Sequence, residues 1–256
     1  MKTVILAGGR GTRIAEESHL RPKPMIEIGG RPILWHIMKM FARHGITDFV
    51  VCLGYRGYMV KEWFANYFLH ESDVTIDMVS NTVEYHDTRT EPWRVTLVDT
   101  GESTLTGGRI KRVAPFLDDG EPFCLAYGDG VSDIDISGLV AFHREHGLQA
   151  TMTVVRPAAR FGSATLDDWR VTAFNEKTQA TEGLINGGFF VLETSVLDLI
   201  DGDDTPWERG PLERLAAAGQ MAAWQHDGFW QPMDTIRERE LLESLWAADP
   251  PWRTWT

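Results

Sequence analysis

The sequence predicts an α/β fold, a three-layer αβα sandwich around a mixed, mostly parallel central sheet, and three observations carry that prediction. The chain opens on a short apolar run, Val4 to Ala7, of the kind found in strands covered on both faces. Its first 55 residues read as strand, loop, helix and strand, a unit that lays two parallel strands side by side. Strand-type and helix-type patterns then alternate to the end of the 256 residues.

Each element has a local reason. A first strand over 3–7 runs straight into glycines at 8, 9 and 11. Apolar residues at 34, 37, 38 and 41 give a helix over 33–44, which Gly45 stops. Asp48 to Tyr55 reads as a second buried strand and 58–68 as a helix. Strands at 74–79 and 94–98 surround a polar stretch, giving a hairpin excursion near 81–100. Residues 107–116 read as a strand end followed by a short helix. Pro122 to Tyr127 is a buried strand that stops at Gly128-Asp129-Gly130. A helix over 139–146, strands over 150–155, 170–174 and 187–192, and helices over 211–218 and 238–248 complete the alternation. With no repeat, low-complexity run or linker, a single domain over 1–256 is expected. The tail 249–256 carries Trp252 and Trp255, which call for cover by the parent domain or by another subunit.

A net charge of −12 argues against a nucleic-acid-binding surface. Positive charge is nevertheless concentrated locally, at Arg10, Arg13, Arg21 and Lys23. Cys52 and Cys124 lie in apolar strand-like runs, so buried free thiols and a cytoplasmic setting are expected. No apolar run reaches the roughly 18 residues of a membrane span. His143 and His146 read as exposed helix positions, since no third metal ligand is near them in sequence.

The basic cluster has a chemical meaning. Glycines 8, 9 and 11 bring backbone N–H groups close to a ligand, Thr12 adds a hydroxyl, and Arg13 and Lys23 add cations, a set suited to several phosphate oxygens. Ile14 stands where a dinucleotide fingerprint needs glycine, and no Gly-Lys-Ser/Thr triplet makes a Walker loop. In open α/β sheets ligands gather at the carboxyl ends of strands, where Arg13 and Asp129 would both sit if their strands are neighbours.

The run Leu6-Ala7-Gly8-Gly9-Arg10-Gly11-Thr12-Arg13, with Pro22-Lys23-Pro24, resembles the signature of the sugar-1-phosphate nucleotidylyltransferases. Later blocks, among them Glu91-Pro92-Trp93, Thr106-Gly107-Gly108-Arg109, Tyr127-Gly128-Asp129-Gly130, Asn186-Gly187-Gly188 and Gln231-Pro232-Met233-Asp234, are similar to its cytidylyl branch and span nearly the whole chain. The resemblance implies a Rossmann-like sandwich and transfer of a cytidylyl group from CTP to α-D-glucose 1-phosphate, giving CDP-glucose and pyrophosphate. It implies Mg2+ held by Asp129 and Asp234, and catalysis by Arg13, Lys23 and Asp129. Nucleotide binding falls to Leu6 through Arg13, Lys23, Thr104, Thr106, Gly107, Gly108, Arg109 and Gly128, with Arg109 expected to read the base. Sugar-phosphate binding falls to Tyr127, Glu176, Lys177, Asn186 and Gly187, although Thr178 replaces the proline that usually follows the lysine. A homo-oligomer is expected, with no nucleic-acid or membrane partner. Transfer from UTP or dTTP, a catalytically silent sugar-nucleotide-binding module and a nicotinamide dehydrogenase are the alternatives; the dehydrogenase lacks its third glycine.

Overall fold

Alternate residues of each buried run pack to opposite sides, and this makes three layers. The computed structural model describes residues 1–117, 120–157, 163–167, 170–175 and 183–255, with backbone alone at 13, 15, 16, 163–167, 171 and 173–175. Its central sheet contains β1 (Thr3–Leu6), β2 (Asp48–Leu53), β3 (Arg94–Asp99), β4 (Phe123–Tyr127), β5 (Ala150–Val155), β6 (Ile185–Leu192) and β7 (Met221–His226). Their spatial order is β7-β5-β6-β4-β1-β2-β3. The strand β6 runs antiparallel to both neighbours. The remaining pairings are parallel.

Ile5, Phe49, Val51, Cys124 and Ala126 join one apolar cluster with the Ile33–Arg43 helix, while Val4, Val50, Cys52, Phe123 and Leu125 join a second with Ile110, Leu212 and Leu215. This is the two-residue period of a strand buried on both faces. Cys52 and Cys124 are free and buried, and desolvation pushes both thiols up to about 12. No helix among the described residues is long and apolar enough to cross a membrane.

Several elements differ from the sequence reading. The hairpin comprises Asp73–Asp77 and Thr82–His86, so it starts before the expected excursion and only its second strand falls within it, and Arg94–Asp99 belongs to the main sheet. Thr106–Arg112 is helical from its first residue, with no strand end before it. Two short ribbons, Glu27–Ile28 with Arg31–Pro32 and Gly130–Ser132 with Trp230–Pro232, are too brief to leave a periodic signal. A strand over Ser163–Asp167 pairs with Arg170–Asn175, the former being unforeseen. His143 is buried rather than exposed: its Nδ1 lies 2.8 Å from Thr151 Oγ1 and its Nε2 3.3 Å from Glu193 Oε1.

The tryptophan tail folds back on its own chain. Trp252 is fully buried and stacks on Phe229 with ring centroids 5.6 Å apart. Trp246 and Trp255 gather with it around His36 on the Ile33–Arg43 helix. His36 Nε2 donates to the Ile28 carbonyl at 2.9 Å, and Nδ1 faces the Trp252 indole N–H at 3.4 Å. Both contacts suit a neutral ring, and burial lowers the imidazole pKa from 6.5 to about 4. The unfolded chain therefore takes up this proton near 6.5 and the folded chain only near 4. Stability from neutral His36 is complete above the unfolded value and is lost as pH falls toward 4. Calorimetry should show the unfolding midpoint falling through that window, with up to about 3 kcal/mol from this group, and a flatter slope in His36→Phe.

Candidate functional site

Parallel pairing of β1 with β4, in register Leu6 with Tyr127, sets the glycine-rich loop and Gly128-Asp129 side by side at one edge of the sheet. A cavity of about 650 Å³ opens there. Leu6, Ala7 and Gly9 to Thr12 line one side, Lys23 and Pro24 another, and Glu102 to Thr106 with Arg109 a third. Tyr127 to Asp129, Glu208 and Asp234 close the ring.

Lys23 is placed by its prolines. Pro22 sits at φ −65 before a short 3-10 turn over Lys23–Met25, and the Met25 N–H donates to the Pro22 carbonyl at 2.8 Å. The stiff backbone aims the side chain into the cavity, where its exposure falls to 10%. Its Nζ donates to Asp129 Oδ2 and to Asp234 Oδ1, at 2.7 Å each.

The carboxylates come together through backbone pairing. Gly130 pairs with Pro232 in the short ribbon, and the Met233 N–H donates to the Asp129 carbonyl at 2.8 Å. Asp234 is not the N-cap of the helix that follows. Thr235 caps it, with its hydroxyl accepting from the Glu238 N–H and Glu238 returning to the Thr235 N–H in a capping box. The Thr235-x-x-Glu238 spacing in the sequence carried that signal.

Arg109 lines the cavity with most of its side chain buried. It is 5% exposed, and its guanidinium donates to the Leu53 carbonyl at 3.0 Å, to Thr100 Oγ1 at 2.8 Å and to the Glu102 carbonyl at 3.2 Å. It thus ties the end of β2 to the loop after β3. A Cβ on Gly8 would stand 2.0 Å from its Nη1 and one on Gly54 2.5 Å, so these glycines make room for the arginine. Gly107 and Gly108 also answer to packing: a Cβ on either would stand 2.6 Å from backbone atoms of Thr205 or Asp203. Among the sequence-chosen residues, these three glycines at 8, 107 and 108 support the cavity from behind.

At the far wall Glu208 accepts from Thr106 Oγ1 and from the Tyr127 hydroxyl, both at 2.7 Å. Asn186 Nδ2 donates to the same hydroxyl at 3.1 Å. Burial, with Glu208 as neighbour, holds the Tyr127 phenol well above its ordinary pKa, so it stays a neutral donor. Asn186 reaches the wall through Tyr127, and the Gly187 carbonyl accepts from Trp230 Nε1 at 2.7 Å. Glu208 and Glu102 escaped the sequence reading; Glu102 pairs with Arg10 at 2.9 Å across the cavity mouth. Their only sequence signal was acidity in a loop, which singles out no residue. Glu176 and Lys177 lie outside the described residues, as does the side chain of Arg13, whose backbone is on the Thr12–Ile14 turn.

A mostly parallel sheet with a phosphate-type loop and a carboxylate pair at its carboxyl edge defines an α/β protein built to hold a nucleotide. The chain belongs to the nucleotidyl transferase family, whose model matches residues 2–228. It is 57% identical over 256 residues to the glucose-1-phosphate cytidylyltransferase of Salmonella typhi, each chain covered completely. It is 39% identical over 257 residues to the probable glucose-1-phosphate cytidylyltransferase of Bacillus subtilis, again with full coverage of both. The solved structure of HddC from Yersinia pseudotuberculosis shares the fold, with TM-score 0.71 and 21% identity over 96% of this chain and 99% of that one.

Two glycines separate packing from ligand space. A Cβ on Gly128 would stand 2.6 Å from the Leu6 carbonyl oxygen, whereas one on Gly9 meets nothing within 4 Å. Gly128→Ala should lower the thermal unfolding midpoint by several degrees, as strand-end backbone must move. Gly9→Ala should leave that midpoint unchanged and weaken nucleotide binding by roughly 10-fold or more, about 1.4 kcal/mol, as isothermal titration would measure.

Proposed function

We propose that this chain transfers the cytidylyl group of CTP to α-D-glucose 1-phosphate, releasing pyrophosphate and CDP-glucose. The observation that carries the reading is the convergence of Lys23, Asp129 and Asp234 beside the glycine-rich loop. Full-length identity to the Salmonella typhi enzyme supports the nucleotide and the sugar.

A phosphate oxygen of the sugar phosphate attacks the α-phosphorus, and the bond to the bridging oxygen of the β-phosphate breaks in line. Both partners are anions, so the chain's task is to align them and to offset charge gathering on the equatorial oxygens. Backbone N–H groups of Gly9 to Thr12, the Thr12 hydroxyl, Arg13 and Lys23 do this for the triphosphate. Thr104 and Thr106 bound the base and ribose with Arg109, three of whose N–H bonds already brace the loops. Tyr127, Asn186, Gly187, Glu176 and Lys177 are assigned to the sugar phosphate.

The donor set fits magnesium. Two carboxylates reaching one cation-sized point are the hard oxygen ligands that Mg2+ takes, with phosphate oxygens and waters as the remainder. Bound there by Asp129 and Asp234, Mg2+ would supply neutralising charge to the phosphates. A cytoplasmic location and a homo-oligomer belong to the same proposal. The hairpin supports the oligomer, for Met78 and Val79 at its tip are 84% and 98% exposed and a lone two-stranded hairpin is only marginally stable in water.

Pyrophosphate release measured over CTP, UTP, dTTP, ATP and GTP with glucose 1-phosphate should be fastest with CTP; a faster rate with UTP or dTTP would replace this reading. Arg13→Ala should lower kcat by about 10²–10³ with a smaller change in the KM for CTP, because the group acts on charge that develops in the transition state.

A further inference from the structure

Lys23 has two duties that exclude one another. Its ammonium lies 2.7 Å from one oxygen of Asp129 and 2.7 Å from one of Asp234. The proposed function assigns those carboxylates to a divalent cation and assigns Lys23 to a nucleotide phosphate. A metal coordinated through the same oxygens at magnesium's roughly 2.0–2.1 Å would lie within about 5 Å of Nζ. Two cations so close repel strongly, in a cleft where Lys23 and Asp234 are 10% and 13% exposed.

We propose that Lys23 is the resident counter-ion of the Asp129–Asp234 pair and is exchanged out of it when a divalent cation enters, turning to the nucleotide phosphates only then. The proposal rests on the metal-assisted reading above. Charge favours this order: one ammonium between two carboxylates leaves the trio net negative, which repels a triphosphate, whereas a divalent cation added to the same groups leaves it net positive. Shape permits it as well. Pro22 and Pro24 stiffen the backbone, so the movement is confined to the four-carbon side chain. That side chain already lies along the phosphate loop, for a Cβ on Gly11 would stand 3.1 Å from Lys23 Cβ and 3.7 Å from its Cδ. An ammonium leaving the carboxylates stays beside the loop proposed to hold the phosphates.

The test uses Mn2+ alone as probe, without nucleotide, read by electron paramagnetic resonance on the full chain. Lys23→Met should bind Mn2+ at least about 10-fold more tightly than the wild type, since no ammonium competes. Equal or weaker binding by that variant overturns the exchange. Wild-type binding of Mn2+ that Asp129→Asn and Asp234→Asn leave untouched overturns the metal reading itself, which keeps the two failures apart. A second measurement needs no variant: competitive acetylation of wild-type lysines, followed by mass spectrometry, should show Lys23 labelling rise severalfold on saturation with Mg2+. Unchanged labelling at Lys23 likewise overturns the proposal.

Discussion

One ammonium shared by two carboxylates organises this molecule's working edge. Asp129 and Asp234 lie 106 and 211 residues beyond Lys23 along the chain, so the meeting of the three requires the first strand, the fourth strand and the final helix to be in place together. A partly buried ion trio adds little net stability, because desolvation offsets most of its attraction. Removing one member is another matter: without the lysine, two carboxylates face each other in a narrow cleft. The arrangement therefore selects a conformation more than it stabilises the fold, and it does so where anionic substrates would be aligned.

Positive charge in an acidic chain is useful only where it is held in place. The chain carries −12 overall, yet cations gather around one loop. Arg109 shows how a cation can serve without facing the ligand fully. By binding the Leu53 carbonyl, Thr100 and the Glu102 carbonyl it joins two strand ends, and the glycines at 8 and 54 exist in part to admit it. The loop is thus shaped from beneath by a buried guanidinium as well as from above by whatever it holds. At the opposite wall the Tyr127–Glu208–Thr106 chain of hydrogen bonds fixes a carboxylate through two neutral hydroxyl donors rather than a cation. Such a group suits uncharged parts of a ligand, which gives the cavity two ends of different character.

The aromatic tail does comparable work on the other side of the sheet. Trp252 inserts beside His36, and the Thr254 carbonyl accepts from Arg43 Nε at 3.0 Å, so the C-terminus clamps the Ile33–Arg43 helix. That helix lies against the small ribbon whose far end leads to Asp129. Cover by the parent domain, one of the two fates open to these tryptophans from sequence, is the one realised.

Local chemistry was legible in the sequence wherever residues close together decide the outcome. Apolar runs between glycines specified the buried strands, helical spacing specified the Ile33–Arg43 helix, and the Gly8–Arg13 loop with Pro22-Lys23-Pro24 marked two sides of the cavity. The pairing of Asp129 with Asp234 entered through family resemblance, since no spacing rule joins residues so far apart. Tertiary structure alone decided that Lys23 sits between them, that Arg109 turns beneath the loop, and that Glu208 closes the wall. Those outcomes depend on which strand ends lie side by side and on which donors find acceptors once water is displaced, and neither is encoded in a window of neighbouring residues.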